Sequence, residues 1–113
     1  MKTVFRHFRI NRETGELAAW FKSFVDKDGV RHAPGYDPSE KGGLTVCYLC
    51  DDKGIYGVGF AECSAKDSFC YKVGRKIALD RAAACAEGKQ VPYILSKRSP
   101  AAKIIAELAS DLI

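Results

Sequence analysis

Hydrophobic and polar positions divide the chain into a strand-patterned first half and a helix-patterned second half. Thr3–Ile10 is rich in β-formers, and Leu17–Val25 carries Trp20, Phe21, Phe24 and Val25. Asn11-Arg12-Glu13-Thr14-Gly15 supplies turn residues between them, which predicts a hairpin. Asp26-Lys27-Asp28-Gly29 turns the chain into a short third strand around Val30-Arg31-His32, and the polar stretch holding Pro34, Gly35, Pro38, Gly42 and Gly43 reads as a surface loop. A second hairpin runs from Leu44–Leu49 through Asp51-Asp52-Lys53-Gly54 into Ile55–Cys63. Leu44, Val46 and Tyr48 line one side of its first strand and Cys47 and Leu49 the other, so this strand should lie centrally in a sheet or beneath another subunit. Gly57 and Gly59 share a face of the return strand and leave room there for a helix or a ligand.

After Cys63 the period changes. Ser64-Ala65-Lys66-Asp67 has the form of a capping box, with Asp67 in the place of the usual Glu or Gln, and predicts a helix over 65–87 that stops at Gly88. Cys70, Val73, Ile77 and Ala84 form the stripe expected to face the sheet. Gly74, Ala78 and Ala82 form a second stripe, small enough for another backbone to pack closely. Ser99 as N-cap and Pro100 at the first helical position start a second helix over 100–112, with Ile104, Ile105, Leu108 and Leu112 as its apolar face. The expected fold is a single α+β domain spanning 1–113, an antiparallel sheet of about five strands followed by two C-terminal helices.

Composition narrows the function classes. A chain of 113 residues with 47% hydrophobic and 28% charged residues is one ordinary globular domain. No stretch approaches the roughly 18 uncharged apolar residues of a membrane span. Charges in Met1-Lys2-Thr3-Val4-Phe5-Arg6-His7 stand where a signal peptide needs its apolar run, so a cytoplasmic protein is expected. An odd number of cysteines, five, fits reduced thiols in such a compartment. Cys47-x-x-Cys50 with Cys63 and Cys70 offers four thiolates to zinc only superficially, because strand residues three apart point to opposite faces. No metal or other cofactor is expected, and the cysteines read as small apolar fillers. His7 and His32 are the two histidines, and no nucleophile context, paired carboxylates or phosphate loop accompanies them, so no enzyme is expected.

The net charge of +4 suits a small anionic ligand without demanding long nucleic acid. Cys63–Ala82 interleaves basic and aromatic residues across the expected helix start, where free backbone N–H groups favour anions. Phe69 is the candidate for stacking on a base, with Tyr93 as a second; Lys66, Arg75 and Arg98 are candidates for phosphate or ribose. Arg81 lies seven residues after Gly74 on about the same helix face and is either a ligand contact or half of a structural ion pair. Should these fail, the Arg6, His7 and Arg9 strand is the next place to look.

The order of two hairpins with an extra strand and then two helices resembles that of the phage anti-Thoeris sponge proteins of the first Thoeris anti-defence family. The closest similarity covers Ser64–Ala82, where Lys66-Asp67-x-Phe69 leads into Gly74-Arg75-Lys76-Ile77-Ala78-x-x-Arg81-Ala82. The resemblance implies a non-enzymatic phage protein in the host cytoplasm that sequesters a cyclic ADP-ribose-type or other cyclic nucleotide signal, in pockets shared between protomers. A homodimer or larger closed oligomer is also expected from the two-sided apolar strand, the small-residue stripe and the limited core of a short chain. The alternative is a small basic nucleic-acid-binding domain resembling the second half of a double-stranded RNA-binding domain. The missing first helix, the extra last helix and the low net charge weigh against it.

Overall fold

The computed structural model describes residues 2–88, which form six strands and one helix. β1 (Lys2–Ile10), β2 (Leu17–Trp20), β5 (Lys41–Asp51) and β6 (Gly54–Ser68) make a four-stranded sheet in the order β2-β1-β5-β6. Every pairing in it is antiparallel. β3 (Phe24–Val25) and β4 (Arg31–His32) form a separate two-stranded ribbon, and α1 (Tyr71–Ala86) follows the sheet. The architecture is α+β with an antiparallel sheet. Among the described residues no helix is long and apolar enough to cross a membrane. The expected helix over 100–112, with Tyr93 and Arg98, lies outside the described residues.

Turn chemistry closes the strands as the residue types dictate. Asn11 Oδ1 accepts the amides of Glu13 (2.9 Å) and Thr14 (3.4 Å), and Gly15 supplies the positive φ that completes the β1–β2 turn. The expected strand over Leu17–Val25 divides into β2 and β3, because the chain leaves the sheet after Trp20 to start the ribbon. The returning segment is tied down by Tyr36, whose hydroxyl donates to the Ala18 carbonyl at 2.7 Å.

The two-sided strand is central, as its apolarity requires. Leu44, Val46, Val58 and Phe60 cluster on one sheet face with Phe8, Leu17 and Tyr48 against them. On the other face Cys47 and Ala61 meet Ala78 and Ala82 of α1, flanked by Phe5 and Leu49.

Two features of α1 correct the sequence expectation. The helix begins at Tyr71, not at residue 65. Ser68 still pairs with Lys41 and the Phe69 amide donates to the Glu40 carbonyl at 3.0 Å, so sheet hydrogen bonds hold the segment that the capping box was expected to start. Ser64 Oγ accepts the Lys66 amide instead (3.2 Å), and the actual N-cap, Cys70, makes no side-chain cap bond. The inward face is also the opposite one. Gly74, Ala78 and Ala82 face the sheet, while Val73 (55%) and Ile77 (38%) are exposed. Gly57 and Gly59 are the cause. A β-carbon on Gly57 would lie 2.7 Å from the Ala82 carbonyl oxygen, so the helix backbone rests in a glycine notch that larger inward side chains would prevent.

Candidate ligand site

β1 alternates its side chains across the sheet, so Phe5, His7 and Arg9 share the face that carries α1. Thr45 is the cross-strand partner of His7 on β5, and Trp20 is its partner on β2. The segment entering α1 then lays Phe69 and Tyr71 over the same end of the sheet. Phe69 can lie this low because Gly43, at φ +145°, has no β-carbon; one built there would fall on the Phe69 ring.

Arg9 is the centre of the group. Its guanidinium lies 4.9 Å from the Phe69 ring centroid, 5.7 Å from Trp20 and 5.9 Å from Tyr71. Nη2 donates to the Ser39 carbonyl at 2.8 Å and Nη1 to the Tyr71 hydroxyl at 3.4 Å. Nε is buried and has no acceptor among the described residues. An unsatisfied buried donor costs roughly 1–3 kcal/mol, more on a charged group, so its presence asks for an explanation.

Arg75 forms the second cationic position. Its Nε donates to His7 Nε2 at 3.1 Å, and its guanidinium lies 5.4 Å from the Phe5 ring centroid. With Nε2 accepting, the imidazole proton sits on Nδ1 and is directed at Thr45 Oγ1, 3.2 Å away. Burial first, and the Arg75 charge second, lower the His7 pKa to about 4. His7 is therefore neutral near pH 7, with both ring nitrogens engaged. Tyr71 meets its ring edge-on at 4.7 Å, and Phe69 does so at 6.1 Å.

The structure separates the expected site residues. Phe69 and Arg75 come together. However, Phe69 lies against the Gly43 backbone with the Arg9 guanidinium nearby, and the exposed aromatic of the group is Tyr71. Lys66 is exposed on the irregular end of β6, and no side-chain hydrogen bond or ion pair joins it to the cluster. Arg81 lies elsewhere: its Nη1 donates to the Phe60 carbonyl on β6 at 2.7 Å. Tyr93 and Arg98 fall outside the described residues.

His7 and Arg9 belong to the strand named as the second place to look, and the alternation Phe5, His7, Arg9 places two nitrogen-rich side chains on one sheet face. Arg6 points to the opposite face, paired with Val46. Among the described residues no carboxylate forms an ion pair with Arg9 or Arg75. None of the described His, Cys, Asp and Glu residues gather in threes suited to a metal, and all five cysteines are free thiols. Comparison of the chain with protein-family models, curated proteins and solved structures gave no match.

Proposed function

We propose that the protein is a non-enzymatic binder of a compact anionic nucleotide, captured at the Arg9–Arg75–Tyr71 end of the sheet. The carrying observation is the buried Arg9 Nε, which among the described residues has no acceptor, beside a second guanidinium with no carboxylate partner among them. A pyrophosphate is the anion class that paired guanidinium groups bind well, and Tyr71 is the exposed aromatic of the group available to a base. The resemblance to anti-Thoeris sponges makes the nucleotide a cyclic ADP-ribose-type signal and the protein a phage-encoded, homo-oligomeric sponge in the host cytoplasm. The proposed ligand contacts are Arg9, Arg75, Tyr71 and Phe69.

Calorimetric titration with cyclic ADP-ribose tests this reading. Arg9→Ala and Arg75→Ala should each weaken binding about ten- to a hundredfold, the loss of one charge-assisted contact worth roughly 1.5–3 kcal/mol. Arg81→Ala should leave affinity unchanged while lowering stability, because that side chain holds β6. Absence of binding, or returned ligand that has been hydrolysed, overturns the proposal. Binding of a double-stranded RNA with a steep salt dependence would support the alternative reading instead.

A further inference from the structure

We infer that arrival of an anionic group at Arg75 draws this guanidinium from His7 to the ligand and leaves the imidazole to take up a proton, so that capture at this site is linked to pH. The inference rests on the reading above and concerns how the same site is regulated.

The geometry supports it at each contact. Among the described residues His7 Nε2 accepts from the Arg75 Nε–H alone, and a guanidinium that turns to a phosphate oxygen leaves this nitrogen open. Nδ1 stays directed at Thr45 Oγ1 in either charge state, because an imidazolium donates from both nitrogens. The groups facing the ring are Arg75 and Tyr71 from α1, Phe69 from the segment before it, Thr45 from β5, Trp20 from β2, and Arg9 and Phe5 along β1. Arg9 and Arg75 are the charged members of this set, and no described carboxylate forms an ion pair with the ring.

In the free protein both known influences on His7 therefore oppose its protonation: burial and a neighbouring cation. A bound anion reverses the second. An opposite charge within about 4–6 Å favours the charged form of a titrating group, so a bound anion moves the His7 pKa upward from about 4. The proton comes from solvent and adds to Nε2; no bond in the ligand is made or broken. Affinity then rises as pH falls through the bound-state pKa, by at most about tenfold per unit, and levels off below about 4.

Titration of the whole chain with cyclic ADP-ribose at pH 6, in two buffers of different ionisation enthalpy, reads the proton count directly. The expected result is uptake of a fraction of a proton up to one, lost in His7→Gln while binding remains. Binding accompanied by no uptake, or by uptake that persists in His7→Gln, overturns the inference and leaves the proposed function standing. Absence of binding overturns both. Should His7→Gln fail to fold, nuclear magnetic resonance titration of the His7 ring in the wild-type protein decides the matter. A ring pKa that rises on adding cyclic ADP-ribose supports the linkage, and an unchanged one refutes it.

Discussion

A β-carbon built on Gly59 would fall on the carbonyl oxygen of Ala78 and the amide nitrogen of Ala82, both helix backbone, which cannot give way as a flexible side chain can. Gly59→Ala should therefore lift α1 from the sheet and cost about 3 kcal/mol or more in urea unfolding, beyond the usual range for a single methyl group. Gly29→Ala is the control. It has positive φ and open space around it, so only backbone strain of about 1 kcal/mol is expected. His7 sets a second residue-scale expectation. Its folded pKa lies below the ordinary histidine value, so between pH 6.5 and about 4 the unfolded chain binds more protons. Stability should fall as pH drops through that window, by of order 1 kcal/mol once the ring's half-exposure is allowed for, and His7→Gln should flatten the profile. An unfolding series from pH 7 to pH 4 in which both proteins change alike would show that His7 is not responsible. At this scale the sequence was legible where chemistry is local. The glycine notch at Gly57 and Gly59 announces a close approach by itself. The Arg9 cluster does not, because it joins residues some sixty positions apart, Arg9 to Tyr71 and His7 to Arg75.

At the scale of elements, the central place of β5 could be read from apolar residues on both its faces, and the strands of both hairpins from their turns. The start and facing of α1 could not. A capping box competes with whatever else the backbone can bond to, and here the start of β5 offers Lys41 to Ser68, so six expected helical residues remain outside the helix. Facing failed for a related reason. Large side chains are the ordinary choice for an inward stripe, but a partner strand lacking two side chains accepts only a stripe of small ones. Thiol accessibility follows from these elements. Cys47 lies under α1 with its thiol pKa pushed up by burial, and Cys63 is likewise raised, whereas Cys70 and Cys85 are exposed at the start and end of the helix. Native-state alkylation followed by peptide mass spectrometry should label Cys70 and Cys85 first and Cys47 only when the sheet opens. Early labelling of Cys47 would contradict the packing of α1 on β5.

For the whole molecule, the expectation of self-association needs a different surface from the one first considered. The Gly74–Ala78–Ala82 stripe is spent within the chain, against Thr45, Gly57 and Gly59. The ribbon and the segment that leads into it instead carry Phe21 (39%), Phe24 (53%), Val25 (65%) and Val30 (55%) in the open. Its loop is held rigid, since Asp26 accepts the amides of Asp28 and Val30 and pairs with His32 at 2.8 Å, while Phe24 stacks on the His32 ring at 4.8 Å. Strands of two residues each are marginal by themselves, and a second copy laid against the first about a twofold axis would cover the same apolar residues twice. Lys22, Lys27 and Arg31 on one copy and Asp28 on the other supply opposite charges for such a contact. Sedimentation velocity at micromolar concentration should show the wild-type chain as a dimer or larger closed assembly, and the double variant Val25→Ser, Val30→Ser as a monomer. Unfolding of the sheet should be almost unaffected in that variant, within about 0.5 kcal/mol, because both side chains are at the surface. A monomeric wild type would refute self-association altogether. An oligomer indifferent to the double substitution would move the contact to the outer stripe of α1, where Val73 and Ile77 are exposed on adjacent turns.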